Sequence, residues 1–218
     1  EQPLVKSMLT LMALEIQASR ALLYHTASLI DQTEALEMYL ASDRDEPDFD
    51  RTELQAELER NNQLVRFFTP LCKYYATEVA NQVTRSAIQV HGGLGYMAES
   101  VVGHHHSDSI ITTIYEGTSE IQASFALREM AKGALFTVLD QLRANLETLS
   151  SDYPEPVTQL KGAIDILSDS LPSLMEDVNY ALLNAKRVSD MVISVVVGAE
   201  LLFQCASEPR RIELAAAY

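Results

Sequence analysis

Apolar side chains recur in this chain at intervals of three and four, for tens of residues at a stretch. Leu4, Val5, Met8, Leu9, Met12, Ile16, Leu22, Leu23, Ala27 and Ile30 follow that spacing from the start. It lays one apolar stripe along a helix, whereas no region concentrates the short alternating runs that make strands. Ala, Leu, Glu, Gln and Met, whose side chains suit helices, dominate the long stretches. The chain is therefore expected to be all-α.

The pattern predicts a first helix to about Leu40 and a second from near Arg51, through Leu54, Leu58, Leu64 and Phe68, to Val90. Pro70 lacks a backbone donor, so the second helix should kink or restart there. Gly92 and Gly93 should end it. A glycine-bearing segment, Gly92 to Tyr96, leads to a short element and then to Ser107–Gly117. Ser119 followed by Gln122 predicts a capping box opening a helix that runs through Phe125, Met130, Leu135 and Leu142 to Leu146. Ser150 to Pro156, with two prolines, is a boundary. Two further helices are expected at roughly Val157–Leu171 and Ser173–Ala206, and Glu208-Pro209 precedes a last helical start. Ser42 to Asp50 reads as a solvated loop, because its aspartates lack calcium-loop spacing.

Composition narrows the functional classes. The formal net charge of −15, with no clustered Lys and Arg to neutralise phosphates, argues against a nucleic-acid binder. No run reaches the ~18 consecutive apolar residues of a membrane span; Met191 to Phe203 comes closest and is broken by Ser194, Gly198 and Glu200. No signal-peptide pattern opens the chain. Cys72 and Cys205 stand far apart and outside any CxxC, as free thiols of a cytoplasmic protein would. Both ends read as cut from something longer.

Three places could carry chemistry. Glu116, in Ile114-Tyr115-Glu116-Gly117-Thr118, lies between an apolar run and a helix start, where the helix terminus favours its charged form and burial its neutral form. From the residues alone it is either a helix-dipole partner or a general base. In Gln89-Val90-His91-Gly92-Gly93-Leu94-Gly95-Tyr96, closely spaced glycines allow a backbone to approach a phosphate or a flat ring; a helix end plus turn explains them equally. His104-His105-His106 cannot all face one ion on a regular backbone, so no metal is expected.

Taken together, the stretch from Gln89 to Met130 resembles the signature region of the acyl-CoA dehydrogenase family: Q-x-x-G-G-x-G-[YF], a spacer, then R-D-x-x-I-x-x-I-Y-E-G-T-x-x-I-Q. Thr69-Pro70-Leu71-Cys72-Lys73 and the long first helix also resemble that family's C-terminal domain. The part after about Gly133 resembles the helical extension of a larger bacterial subgroup that includes methylmercaptopropionyl-CoA dehydrogenases. The resemblance implies an antiparallel helical bundle over 1–133, incomplete at its start, and a truncated helical extension over 134–218.

It further implies that Glu116 removes the acyl-CoA α-proton while the β-hydrogen passes as hydride to FAD, giving a trans-2-enoyl-CoA. Gly117 would lie against the substrate, and Arg128 near the coenzyme A side. Gln89, Val90, His91, Gly92 and Gly93 would contact FAD, in many relatives that of a neighbouring subunit, as would Thr118, Ser119 and Glu120. An electron-transfer flavoprotein would be the redox partner, and the full-length protein a homodimer or homotetramer. Ser107-Asp108 departs from the usual Arg-Asp, which puts local rigidity in question. The family's N-terminal helical and middle β-domains are absent, so this piece alone should bind FAD poorly and not turn over. The alternatives are an acyl-CoA oxidase and a catalytically degenerate member serving as a helical scaffold.

Overall fold

The computed structural model describes residues 2–42 and 50–218, all of it helix, turn or connecting segment, with no strand among the described residues. Most of the predicted Ser42–Asp50 loop thus lies outside the described residues. α1 (Pro3–Ala41) begins with proline in its first turn, where a missing N–H costs nothing. Its inward stripe is Leu14, Ala18, Ala21, Leu22, Thr26 and Thr33. The two buried hydroxyls are satisfied by donating to carbonyls one turn back, Thr26 to Leu22 at 2.8 Å and Thr33 to Leu29 at 2.7 Å.

α2 (Arg51–His91) starts on Asp50, whose carboxylate accepts from the Thr52 N–H at 2.8 Å. It runs through Pro70 without restarting. An internal proline costs a helix ~3 kcal/mol. Here Pro70 is itself buried, in line with Phe67, Phe68 and Leu71, each no more than 1% exposed. Burying such side chains yields ~1.5–3 kcal/mol apiece, enough to carry the helix past the defect.

Side-chain bridges set the pairing of α2 with its neighbours. Arg51 reaches the Leu40 carbonyl and the Tyr75 hydroxyl donates to Glu15 at 2.9 Å, so α1 and α2 run antiparallel. After α3 (Gly93–Tyr96) and α4 (Val101–Ile110) come a 3-10 turn, Ile111–Thr113, and α5 (Ser119–Ala131). Gln63 donates to Lys132 O and Lys73 to Gly117 O, which lays α5 antiparallel to α2 on its other side.

The helix predicted from Ser119 to Leu146 is two. Gly133, at φ 96°, turns the chain between α5 and α6 (Ala134–Glu147), a conformation that a side chain disfavours. α6 pairs antiparallel with α7 (Pro154–Met175) through Arg143–Asp165 and Lys161–Glu147. The predicted break at Pro172 is absent, since α7 continues to Met175. Instead Asp177 opens α8 (Val178–Leu183) by accepting from the Asn179 and Tyr180 N–H groups, and Asn184 separates it from α9 (Ala185–Ser207). A 3-10 turn, Pro209–Arg211, and α10 (Ile212–Ala217) close the described chain.

α9 is long and apolar enough to cross a membrane by length and composition, but 61% of its most apolar stretch is buried inside the fold. It packs on α1, α5 and α7, and Val192, Val197, Ala199 and Leu201 are sealed among them. Its side chains join those of α1, α2, α5, α6 and α7 in one continuous apolar cluster. Cys72 and Cys205 are free and buried, and burial pushes both thiols above their usual range.

Candidate active site

α4 lies antiparallel along the second half of α2. Asn81 donates to the Ser109 carbonyl at 2.9 Å, and Thr84 meets both the Ser109 hydroxyl and His106 Nδ1 at 3.0 Å. From that anchored helix the chain descends through Ile111–Thr113 into a turn over 114–117, then enters α5. Glu116 has φ 55°, the only non-glycine residue with positive φ among the described residues, and Gly117 follows at φ 102°. Holding a residue with a Cβ in the left-handed region costs ~1–2 kcal/mol.

Two hydrogen bonds hold that strained pair. The Lys73 ammonium donates to the Gly117 carbonyl at 2.7 Å, and Gln122 Nε2 donates to the Glu116 carbonyl at 2.7 Å. Bonds to a charged group contribute ~1.5–3 kcal/mol and neutral ones ~0.5–1.5, so together they outweigh the strain. Lys73 Nζ also sits 5.6 Å from the Tyr115 ring centroid. Gly117 has to be glycine: beyond its φ, a Cβ there would come within 3.0 Å of Gln122 Nε2. The Glu116 side chain itself faces outward and is exposed, flanked by half-exposed Ile114 and Tyr115.

The predicted capping box does not form. Thr118, not Ser119, is the cap residue of α5, and no side chain caps its N–H groups. Ser119 is buried with its hydroxyl unpartnered. Gln122 is committed to the Glu116 carbonyl, so it cannot reach back to the helix start. Glu120 lies exposed in the first turn, its carboxyl held below the usual range by its own backbone N–H and by Lys186, despite some opposing desolvation. Lys186 stands 3.5 Å from Glu120 and 3.6 Å from Glu78, and over the Tyr74 ring. Tyr74 in turn donates to Asp190 at 2.7 Å. Burial, and then this carboxylate, push its hydroxyl far above the normal tyrosine range.

The glycine-rich segment sits elsewhere. α2 ends at His91, and Gly92, at φ 59°, turns the chain into α3; Gln89, His91, Gly92 and Gly93 are exposed and Val90 is half-buried. Along a helix rising ~1.5 Å per residue, His91 lies about 27 Å from Lys73, so the two signature blocks do not meet in one pocket of this chain. Arg128 is exposed on α5, its guanidinium 5.5 Å from the Phe125 ring centroid. Ser107 and Asp108 are exposed on α4, beside His104, which meets the Ala98 carbonyl, and exposed His105.

Gly95 packs α3 onto α2. A Cβ there would lie 2.7 Å from the Ile88 carbonyl, whereas at Gly93 nothing stands within 4 Å. Gly95→Ala is expected to lower stability by about 1–3 kcal/mol, as overpacking does. Gly93→Ala should move the thermal midpoint far less, and comparing the two melts checks the assignment.

Lys73 and Gln122, which hold the turn, are not legible as site residues from the sequence, where Gln122 figures only in a capping box. A half-buried lysine in an otherwise apolar and aromatic turn, Leu71-Cys72-Lys73-Tyr74-Tyr75, was the available signal.

Comparison with known proteins agrees with this layout. The profile of the acyl-CoA dehydrogenase C-terminal domain matches residues 53–131. The 3-methylmercaptopropionyl-CoA dehydrogenase of Ruegeria pomeroyi is 33% identical over 124 residues, which are 57% of this chain and 18% of that protein. The caffeyl-CoA reductase–Etf complex subunit CarC of Acetobacterium woodii is 30% identical over 111 residues, 51% of this chain and 22% of that one. The crystal structure of Caenorhabditis elegans ACDH-11 in complex with C11-CoA superposes with a TM-score of 0.77 at 21% identity, covering 99% of this chain and 35% of that one. The chain thus spans well under half the length of these relatives, and its whole described fold, α6 to α10 included, has a counterpart in ACDH-11. Residues 53–131 thus match the C-terminal domain of the acyl-CoA dehydrogenase family, and the chain as a whole shares its fold with ACDH-11.

Proposed function

We propose that the full-length protein dehydrogenates an acyl-CoA between its α and β carbons, with Glu116 as the base that takes the α-proton. One observation carries this: Glu116 of the IYEGT segment stands exposed on a left-handed backbone whose own carbonyl and the next are each held by a side-chain donor. Strain maintained by specific bonds is a mark of functional positions. The protein's part is to hold the carboxylate at the α-carbon and to shut out water; Gly117 lets the thioester approach, and Arg128 suits the coenzyme A phosphates. FAD would accept the β-hydrogen as hydride.

The exposed groups fit such a flavin. The unobstructed backbone at Gly92 and Gly93, with Gln89, Val90 and His91, suits a flat group, and the first turn of α5 offers Thr118, Glu120 and the Ser119 N–H. The charged Glu120 makes that turn suited to uncharged parts of the cofactor rather than its phosphates. The ~27 Å between the two blocks favours flavin sites shared between subunits, hence a homodimer or homotetramer. An electron-transfer flavoprotein as acceptor is in keeping with the Etf complex named for the Acetobacterium relative. The division into a domain over 1–133 and an extension over 134–218 belongs to this proposal, supported by the profile ending at 131 and the turn at Gly133. So does a cytoplasmic location, supported by two free thiols.

The test is an anaerobic titration of the FAD-loaded full-length protein with acyl-CoAs of graded chain length, following flavin absorbance. Bleaching by one class supports the proposal and names the substrate. A protein that holds flavin yet is bleached by none is a scaffold, and fast reoxidation by oxygen would mark an oxidase.

A further inference from the structure

We infer that Lys73 and Gln122 are positioning residues for the proposed reaction, gripping the two main-chain carbonyls that follow the Glu116 Cα so that its carboxylate is aimed before substrate arrives. The inference rests on the reading of Glu116 as base. Gln122 fixes the Glu116 carbonyl and Lys73 the Gly117 carbonyl, each at 2.7 Å. These bonds hold the two peptide planes after Glu116, and the Tyr115 N–H, donating to the Ile111 carbonyl at 3.1 Å, anchors the chain just before it, so the swing of the Glu116 Cα–Cβ bond is restricted while the side-chain torsions stay free.

Both contacts of the Lys73 ammonium, the Gly117 carbonyl and the Tyr115 ring, lie on the turn that carries Glu116. Lys73 is half-buried, and it forms no ion pair with a carboxylate among the described residues. A partly desolvated ammonium directed at a main-chain carbonyl is an expensive way to fasten a loop. Nor is the bond needed to attach α5. Ala123, Ala126, Leu127 and Met130, each at most 4% exposed, already seat that helix in the core. The grip therefore acts on the turn over 114–117 and not on the fold. Tyr74, bonded to Asp190 of α9, fixes the rotation of α2 next to Lys73.

The experiment uses the FAD-loaded full-length protein with Lys73→Met, Lys73→Arg, Gln122→Leu and, separately, Glu116→Gln. Steady-state kinetics are combined with hydrogen exchange of the peptide spanning 111–121. Displacing a catalytic group by ~1 Å can cost ~100-fold in rate. Lys73→Met and Gln122→Leu are thus expected to lower kcat by about 10- to 100-fold, leave KM for acyl-CoA within about threefold, and speed exchange only in that peptide. Lys73→Arg, which keeps a charged donor, should recover most of the rate. Unchanged kcat and unchanged exchange in both variants would overturn the inference, as would faster exchange spread through α9 with activity lost only in proportion to unfolding. If Glu116→Gln itself stays active, the underlying reading fails, while the exchange data still report on the grip.

Discussion

Glu116→Gln is expected to lower the rate of flavin reduction by acyl-CoA by about 10²- to 10⁴-fold, the usual contribution of a positioned general base. At ~1.4 kcal/mol per tenfold, that is about 3–5.5 kcal/mol in the barrier. The amide has nearly the carboxylate's shape, and Glu116 makes its backbone bond through its carbonyl, so the turn should survive. Acyl-CoA affinity and flavin content should stay near wild type. Stopped-flow measurement of the reductive half-reaction checks this, with circular dichroism confirming equal folding.

Phe67→Ala should be the most damaging single change in the core. Phe67 is fully buried and packs edge-on against Phe68 at 4.9 Å between ring centroids, and Phe68 repeats the contact with His25 of α1 at 4.8 Å. Removing a buried phenylalanine costs about 3–5 kcal/mol through lost transfer energy and the cavity left behind. Against a typical stability of ~5–15 kcal/mol, that is a large fraction, and for a chain of this size it lowers the melting temperature by roughly 6–20 °C. Phe136, 42% exposed on α6, is the control; its replacement by alanine should shift the midpoint by only a few degrees. Differential scanning calorimetry of both variants separates the two cases.

The helices themselves were legible because the apolar stripe, as in Leu14, Ala18, Ala21 and Leu22 on α1, is a local property. Their breaks were less so. Pro70 reads as a kink or restart, yet burial around it outweighs the lost hydrogen bond; α7 also runs on through exposed Pro172, whereas Gly133 and Asn184 divide helices that periodicity joins. The IYEGT block marks Glu116 as the candidate base. Nothing local marks the grip on it, because Lys73 lies 44 residues away from Gly117 and only folding brings them together. The Ser119–Gln122 capping pattern failed for a related reason: Gln122 found a different acceptor in the strained turn beside it.

The central claim is that Glu116 removes the α-proton. Its most direct test is α-hydrogen exchange in deuterated water, using an acyl-CoA thioester with sulfur in place of the β-carbon, which cannot release a hydride. Mass spectrometry should find deuterium entering the α position with the FAD-loaded wild type and essentially none with Glu116→Gln at equal ligand occupancy. Exchange by Glu116→Gln as fast as by wild type would contradict the claim and move the base elsewhere in the protein.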